Sequence, residues 1–354
     1  MEAKATAKKE RNSNFEIFRI MAMALIVMSH FAVHTGLIYN GKLPYYTRFW
    51  SRLLSMGGKL GVNCFVLISG FFLSRNTRFD VKKLLVFYAK IIFFSVVISA
   101  VFYFAGKAKA DEAFLQTTFM PIVYARWWFA TTYFVLFLLH PFLNKMLAAL
   151  SKREFLILIA IVTVMWSVIP TLTNQTMELN SLLWFIALYV IAAYVRIHDV
   201  RLKSGVCFLL AGLFALATYG TLIYMDLNKL TVFGRNGTYY YDQQRLPMLA
   251  IAFFLFLGFK NRKSVSSKAV NVVASGMFGV YLLHDNSLVR AFLWKESFPF
   301  WDYAYSPLLI PYSLGVCVGV FVVCTLLSLA YTYGVERPVL RWLEKRKKKS
   351  EEKS

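Results

Sequence analysis

Residues 13–34 read SNFEIFRIMAMALIVMSHFAVH. A membrane-crossing helix needs about 20 mostly apolar residues, and this run has that length. The opening Ser13-Asn14-Phe15-Glu16 has the spacing of a capping box, in which the hydroxyl and carboxylate satisfy early backbone N–H groups. No small-residue cleavage site follows the polar leader, and the run carries Arg19 and His30, so it is not a cleavable signal. Titratable groups at membrane depth are costly and turn toward a bundle interior, which makes both residues functional candidates. Eleven residues at about 100° each come to about 20° past three turns, with a rise of about 16 Å, so Arg19 and His30 share a face. A long ligand lying along that face would touch both. Taken singly, Arg19 reads equally as a snorkelling topology marker and His30 as a hydrogen-bonded core histidine.

The same pattern repeats outward from this helix. The 354 residues are 58% hydrophobic and only 16% charged, with a mean hydropathy of +0.54. Soluble domains carry about 25% charge. About ten apolar segments can be counted, roughly 16–35, 59–74, 83–106, 127–144, 154–171, 181–197, 205–225, 246–259, 270–289 and 309–333. The second and eighth are short for a span and are expected to be tilted or half-buried. The reading is an all-α polytopic membrane protein with both termini cytoplasmic. No fixed-period repeat or linker appears, so residues 1–345 are read as one transmembrane domain and 346–354 as the end of a basic cytoplasmic tail near anionic headgroups.

The net charge of +22 would suit nucleic acid, but the cations fall in short clusters between apolar runs and form no contiguous basic face. Placing the N-terminus inside gives about 27 cations on the cytoplasmic side against about 12 outside. The inside set includes Lys4, Lys8, Lys9, Arg11, Arg19, Arg75, Arg78, Arg196, Lys260 and the tail from Arg337. The longer stretches near 36–58, 106–126, 226–245 and 290–308 then face outward and are placed to meet an extracytoplasmic substrate. Cys64, Cys207, Cys317 and Cys324 lie in apolar stretches without metal spacing, so neither a disulfide nor a metal site is expected.

Arg75 and Arg78, leaving the second helix at i, i+3, suit phosphate groups, which guanidinium binds with fork geometry. A positive-inside stop signal would look the same. In SGMFGVYLLHDN, Tyr281 and His284 are also at i, i+3, with Asp285 at the outer mouth. They would line an acceptor side or form a structural pair. Arg126-Trp127-Trp128-Phe129 reads first as an interfacial aromatic belt, with Trp128 also able to stack on a sugar or adenine. His34 and His140 are read as interfacial and His198 as lying in a cytoplasmic turn. Asp242 and Arg245 form an outer ion pair or contact substrate.

Over nearly its whole length the chain resembles the acyltransferase-3 family of integral-membrane O-acyltransferases, of the bacterial polysaccharide-modifying type. The family's Arg, ten residues, His pattern appears as Arg19 and His30. FVLISGFFLSR leading to Arg75 and Arg78 supports it, as do RWWF at 126–129, YLLH at 281–284 and VERP at 335–338. The resemblance implies transfer of an acyl group, commonly acetyl, from acetyl-CoA in the cytoplasm to a hydroxyl of a glycan, with no metal. It puts His30 in the catalytic role and Arg19, Arg75 and Arg78 on the acyl-CoA side. Trp128, Tyr281 and His284 are then substrate-binding candidates. The esterase-like extracytoplasmic domain fused to some members is not seen here, so transfer is expected within the membrane domain of a multi-pass protein of the bacterial cytoplasmic membrane. His30 would act as general base or as nucleophile. Tyr281, His284 or Asn63 would supply an oxyanion donor. A transporter or flippase for a lipid-linked glycan is the alternative that ten helices and cationic mouths would serve.

Overall fold

The computed structural model describes residues 12–351; Lys4, Lys8, Lys9, Arg11 and positions 352–354 of the expected tail lie outside the described residues. The helices in chain order are α1 (Asn14–His34), α2 (Tyr45–Leu73), α3 (Val81–Phe104), α4 (Glu112–Phe119) and α5 (Trp128–Ala148). Then come α6 (Lys152–Thr163), which passes through a π-turn into α7 (Ile169–Thr173), α8 (Ser181–Ile197), α9 (Ser204–Leu227) and α10 (Leu246–Asn261). The last are α11 (Lys268–Ser275), α12 (Met277–His284), α13 (Ser287–Ala291), α14 (Leu309–Tyr331) and α15 (Arg337–Glu351). Among the described residues the sole β feature is an isolated bridge, Val232 to Arg235. The protein is all-helical.

Among the described residues, six units are long and apolar enough to cross a membrane: α1, α2, α3, Lys152–Thr173, α9 and Leu309–Arg346. The remaining expected segments are helical but shorter, more polar or broken. The helix α8 matches its expected bounds, and α10 has 16 residues, about 24 Å of rise.

Three expectations are corrected. First, α2 is not short; it runs 29 residues and starts at Tyr45. Its first half carries Arg48 and Arg52, which lower the hydropathy, yet both guanidiniums pair with Asp226 at the end of α9, Arg48 at 2.5 Å. Second, the segment expected at 270–289 is two helices broken at Gly276 and ending at His284. There the Ser328 hydroxyl of α14 donates to the Gly276 carbonyl at 2.7 Å, and a Cβ at Gly279 would overlap the same hydroxyl. Third, the capping box at Ser13 does not form. The Ser13 N–H donates to the Val265 carbonyl at 2.6 Å, and its hydroxyl bonds Asn271 at 3.0 Å and the Ser267 N–H at 3.0 Å. Tertiary partners have replaced the local ones.

The bundle centres on α1 and α2. Gly57 and Gly61 of α2 lie four residues apart on one face, the small-xxx-small spacing by which membrane helices approach closely. A Cβ at Gly61 would stand 2.6 Å from the Ala22 carbonyl, and one at Gly57 2.7 Å from that of Leu25. Only glycine fits there.

Tertiary bonds sort the connecting segments into two sets. One set joins Asn14 to the carbonyls of Arg262 and Lys263, Asn144 to those of Leu73 and Asn76, and Lys260 to Asp199. The other joins Tyr46 and Thr47 to Tyr305 and Ala304, Arg48 to Asp226, and Tyr239 to Pro170. These are the two groups that alternation of the apolar segments assigns to opposite faces.

Candidate active site

On α1, Met23, Ile26, His30 and Val33 recur every three or four residues and form one stripe. With His34 they face a cavity of about 410 Å³. Its lining runs from Met23, Phe65 of α2 and Phe278 of α12 to Tyr39, Arg235 and Thr238 in the inter-helix segments. That volume falls within the range of small-molecule sites, about 300–1,000 Å³.

His30 does not stand alone on its wall. Its Nδ1 is 3.0 Å from Nε2 of His284, which is fully buried. His284 Nδ1 lies 2.6 Å from the Val280 carbonyl. A carbonyl only accepts, so His284 carries its proton on Nδ1. With His284 neutral, its Nε2 accepts from His30 Nδ1–H, and the basic lone pair of His30 is left on Nε2. The backbone of α12 thus sets the tautomer of a histidine on α1.

Asp285, capping α12, lies 3.6 Å from His30 Nδ1 and 3.9 Å from His34 Nε2. Arg290 of α13 holds its carboxylate at 3.3 Å. His30, His34 and Asp285 place donor atoms within 4.8 Å of one another, close enough for one divalent ion, a juxtaposition that the sequence spacing concealed. Two of those donors already have protein partners: Arg290 for Asp285 and His284 for His30.

Lys59 also lines the cavity, its ammonium 4.8 Å above the Trp128 ring. Asp242 also lines the cavity and is held by Arg235 through two bonds of 2.7 and 3.1 Å. Tyr281 lines the wall with its hydroxyl beside Asp285.

The arginines gather at the other end of α1. Arg19 pairs with Glu16 at 2.6 Å and lies 5.4 Å from the Phe72 ring; it does not line the cavity. The stripe of α1 does extend to it, one turn beyond Met23, but the cavity that His30 lines takes in Met23 and not Arg19. Arg75 and Arg78 are exposed in the turn after α2, not on its helical face. Arg75 lies near enough to Arg196 for their charges to repel, and Arg196 sits 4.5 Å over Phe71. Arg19, Arg75 and Arg196 therefore surround the Phe71-Phe72 pair, while Arg78 adds a cation in the same turn.

A family model described as an acyltransferase domain matches residues 12–329. The chain belongs to the acyltransferase-3 family. No curated protein and no solved structure matches it. The match runs from the start of α1 through most of α14, so the cavity and the arginine cluster both lie within this acyltransferase-3 domain.

Of the residues singled out in sequence, the fold brings together His30, His284, Tyr281 and Trp128, and sets Arg19, Arg75 and Arg78 apart from them. His34 is a cavity residue, not an interfacial one. His140 is buried, bonding the Phe137 carbonyl through Nδ1. Trp127 is buried too, so the belt reading fails there, and Arg126 donates to the Ser95 and Ser99 hydroxyls of α3 at 2.9 and 2.8 Å. Asn63 is taken up structurally, giving its amide N–H to Gln243 and accepting from the Trp184 indole. Of the Asp242–Arg245 alternatives, the ion pair is present at 3.3 Å, and Arg245 is buried on Asn174 and the Tyr239 ring. Sequence reading missed Lys59, Arg235, Tyr241 and Arg290. Lys59 had a signal: it is a lysine inside a 29-residue helix, hidden because the helix was expected to begin at it.

Proposed function

We propose that this acyltransferase-3 protein moves an acyl group, acetyl in the simplest case, from cytoplasmic acyl-CoA to a hydroxyl of a cell-surface or secreted polysaccharide or its lipid-linked precursor. The observation carrying the reading is the His30–His284 pair at 3.0 Å, with His30 lining a cavity that the arginine cluster does not line. His30 Nε2 takes the proton of the acceptor hydroxyl as its oxygen attacks the thioester carbon. The C–S bond then breaks, and the imidazolium returns the proton to the leaving thiolate. General-base assistance of this kind contributes about 10²–10⁴-fold. His284 keeps the basic nitrogen turned toward the cavity, and Tyr281, whose hydroxyl has no hydrogen-bond partner among the described residues, would turn that hydroxyl to the developing oxyanion.

Arg75 and Arg78, with Arg19 and Arg196, take the phosphates of acyl-CoA; the count of cations supports placing that end in the bacterial cytoplasm. The thin pantetheine arm runs from there past Met23 toward His30. Trp128 and Tyr281 line the acceptor side. Membranes containing the protein should transfer label from acetyl-CoA to surface polysaccharide, and His30→Ala should lose that transfer while folded yield holds. Undiminished transfer by His30→Ala refutes the role, and loss of glycan export with acylation intact assigns the chain to transport.

A further inference from the structure

The cavity's charges do not cancel. Its wall carries three cations, Lys59, Arg235 and Arg290, and two carboxylates, Asp242 and Asp285. Each carboxylate is already paired: Asp242 with Arg235, and with Arg245 behind it, and Asp285 with Arg290. With the imidazoles neutral, the positive charge left over is that of Lys59. Asp242 and Asp285 attract its ammonium across the cavity, but no ion pair or hydrogen bond reaches it among the described residues, and it lies 4.8 Å from the face of Trp128. The surrounding wall is apolar, with Val62 and Phe65 on the same helix.

An ammonium could be spared such a site at no cost to folding, since Met or Leu would pack there. A second open valence belongs to the same cavity lining. Tyr241, which is 6% exposed, lines the same cavity, and its hydroxyl has no hydrogen-bond partner among the described residues. A cation without an ion pair and an unmet hydroxyl in the lining of one cavity suit a ligand bearing one negative charge and hydrogen-bonding oxygens.

We infer that Lys59 and Tyr241 form an anion subsite that selects an acidic saccharide, one bearing a carboxylate or phosphate, as the acceptor. The inference rests on the acyl-transfer reading above and names its substrate class. The carboxylate or phosphate meets the Lys59 ammonium above Trp128, and Tyr241 donates to it or to a neighbouring ring oxygen. The sugar is thereby anchored at one point with a hydroxyl free for His30. Lys59 is exposed within the cavity, so a neutral sugar of the same shape would simply forgo the ion pair that an acidic one forms.

The test uses the purified full-length protein in detergent and three probes: methyl glucuronoside, glucose 6-phosphate and methyl glucoside. Calorimetric titration should show at least one acid binding at least about tenfold more tightly than the neutral glucoside. The acid that gains more identifies the source of the charge. Lys59→Met should erase the difference, Lys59→Arg should restore most of it, and Tyr241→Phe should weaken the acid without abolishing its preference. Equal binding of all three probes, no binding of either acid, or a preference that survives Lys59→Met each overturns the proposal. If Lys59 served only the oxyanion of the transition state, Lys59→Met would lower kcat and leave probe binding unchanged, which also overturns it. The binding readout needs no turnover, so a His30→Ala protein that still transfers acetyl would sink the acyl-transfer role of His30 without touching this result.

Discussion

Removing His284 should harm catalysis through His30 and nowhere else. In His284→Ala, His30 Nδ1 loses its partner at 3.0 Å, and the Val280 carbonyl loses its donor at 2.6 Å. His30 is then free to place its proton on either nitrogen and to turn toward Asp285, 3.6 Å from Nδ1. Losing one such positioning bond costs about 1.4–3 kcal/mol of productive orientation, or about 10–150-fold in rate. Removing His30 itself should cost more, about 10²–10⁴-fold. Since His284 acts only through His30, the double variant should be no slower than His30→Ala alone, whereas independent contributions would multiply. Initial rates of acetyl transfer in membranes, normalised to folded protein, measure all three. A His284→Ala rate equal to wild type, or a double variant slower than His30→Ala by the full His284 factor, would refute the relay.

Gly61→Val should push α1 from α2, because its Cβ meets the Ala22 carbonyl; overpacking of this kind costs about 1–3 kcal/mol and should appear as a lower thermal midpoint in detergent. Arg75→Ala with Arg78→Ala should raise the KM for acetyl-CoA about tenfold with little change in kcat, and added salt should narrow the gap; an unchanged KM removes these residues from the donor site. Asp199, in the turn between α8 and α9, is held down to about 2 by hydrogen bonds from Lys260 and Arg201. A depressed carboxylate stabilises above its unfolded value of about 3.9 and loses that contribution as pH falls toward about 2. The thermal midpoint should therefore drop across that window, and Asp199→Asn should flatten the drop. Dialysis against a chelator should leave transfer intact, because Arg290 and His284 already serve two of the donors around Asp285; activity lost to chelation and restored by one added metal would assign His30, His34 and Asp285 to that ion.

What could be read in the sequence was whatever short-range pattern determines. The helix α8, apolar from Ser181 to Ile197, was legible to the residue, and α1, α3 and α9 to within two. The first half of α2 was not, because Arg48 and Arg52 look like loop residues until Asp226 arrives from another helix. Ser13 carried a local capping signal that partners more than 250 residues away displaced. His30 and His284 each stood out as polar groups in apolar helices, but nothing local says that two residues 254 apart share a hydrogen bond. The same holds for Lys59, whose significance depends on which carboxylates are already taken.

The segment between α9 and α10 that lines the cavity is tied within itself, Arg235 to Asp242 and Asn236 to Thr238, and to α7 through Tyr239 and Pro170. The imidazole pair belongs to α1 and α12 instead. Exchange of that segment for another of similar length could thus change which sugars are admitted while leaving the reactive histidines in place, and variation among relatives would be tolerated first along 231–242.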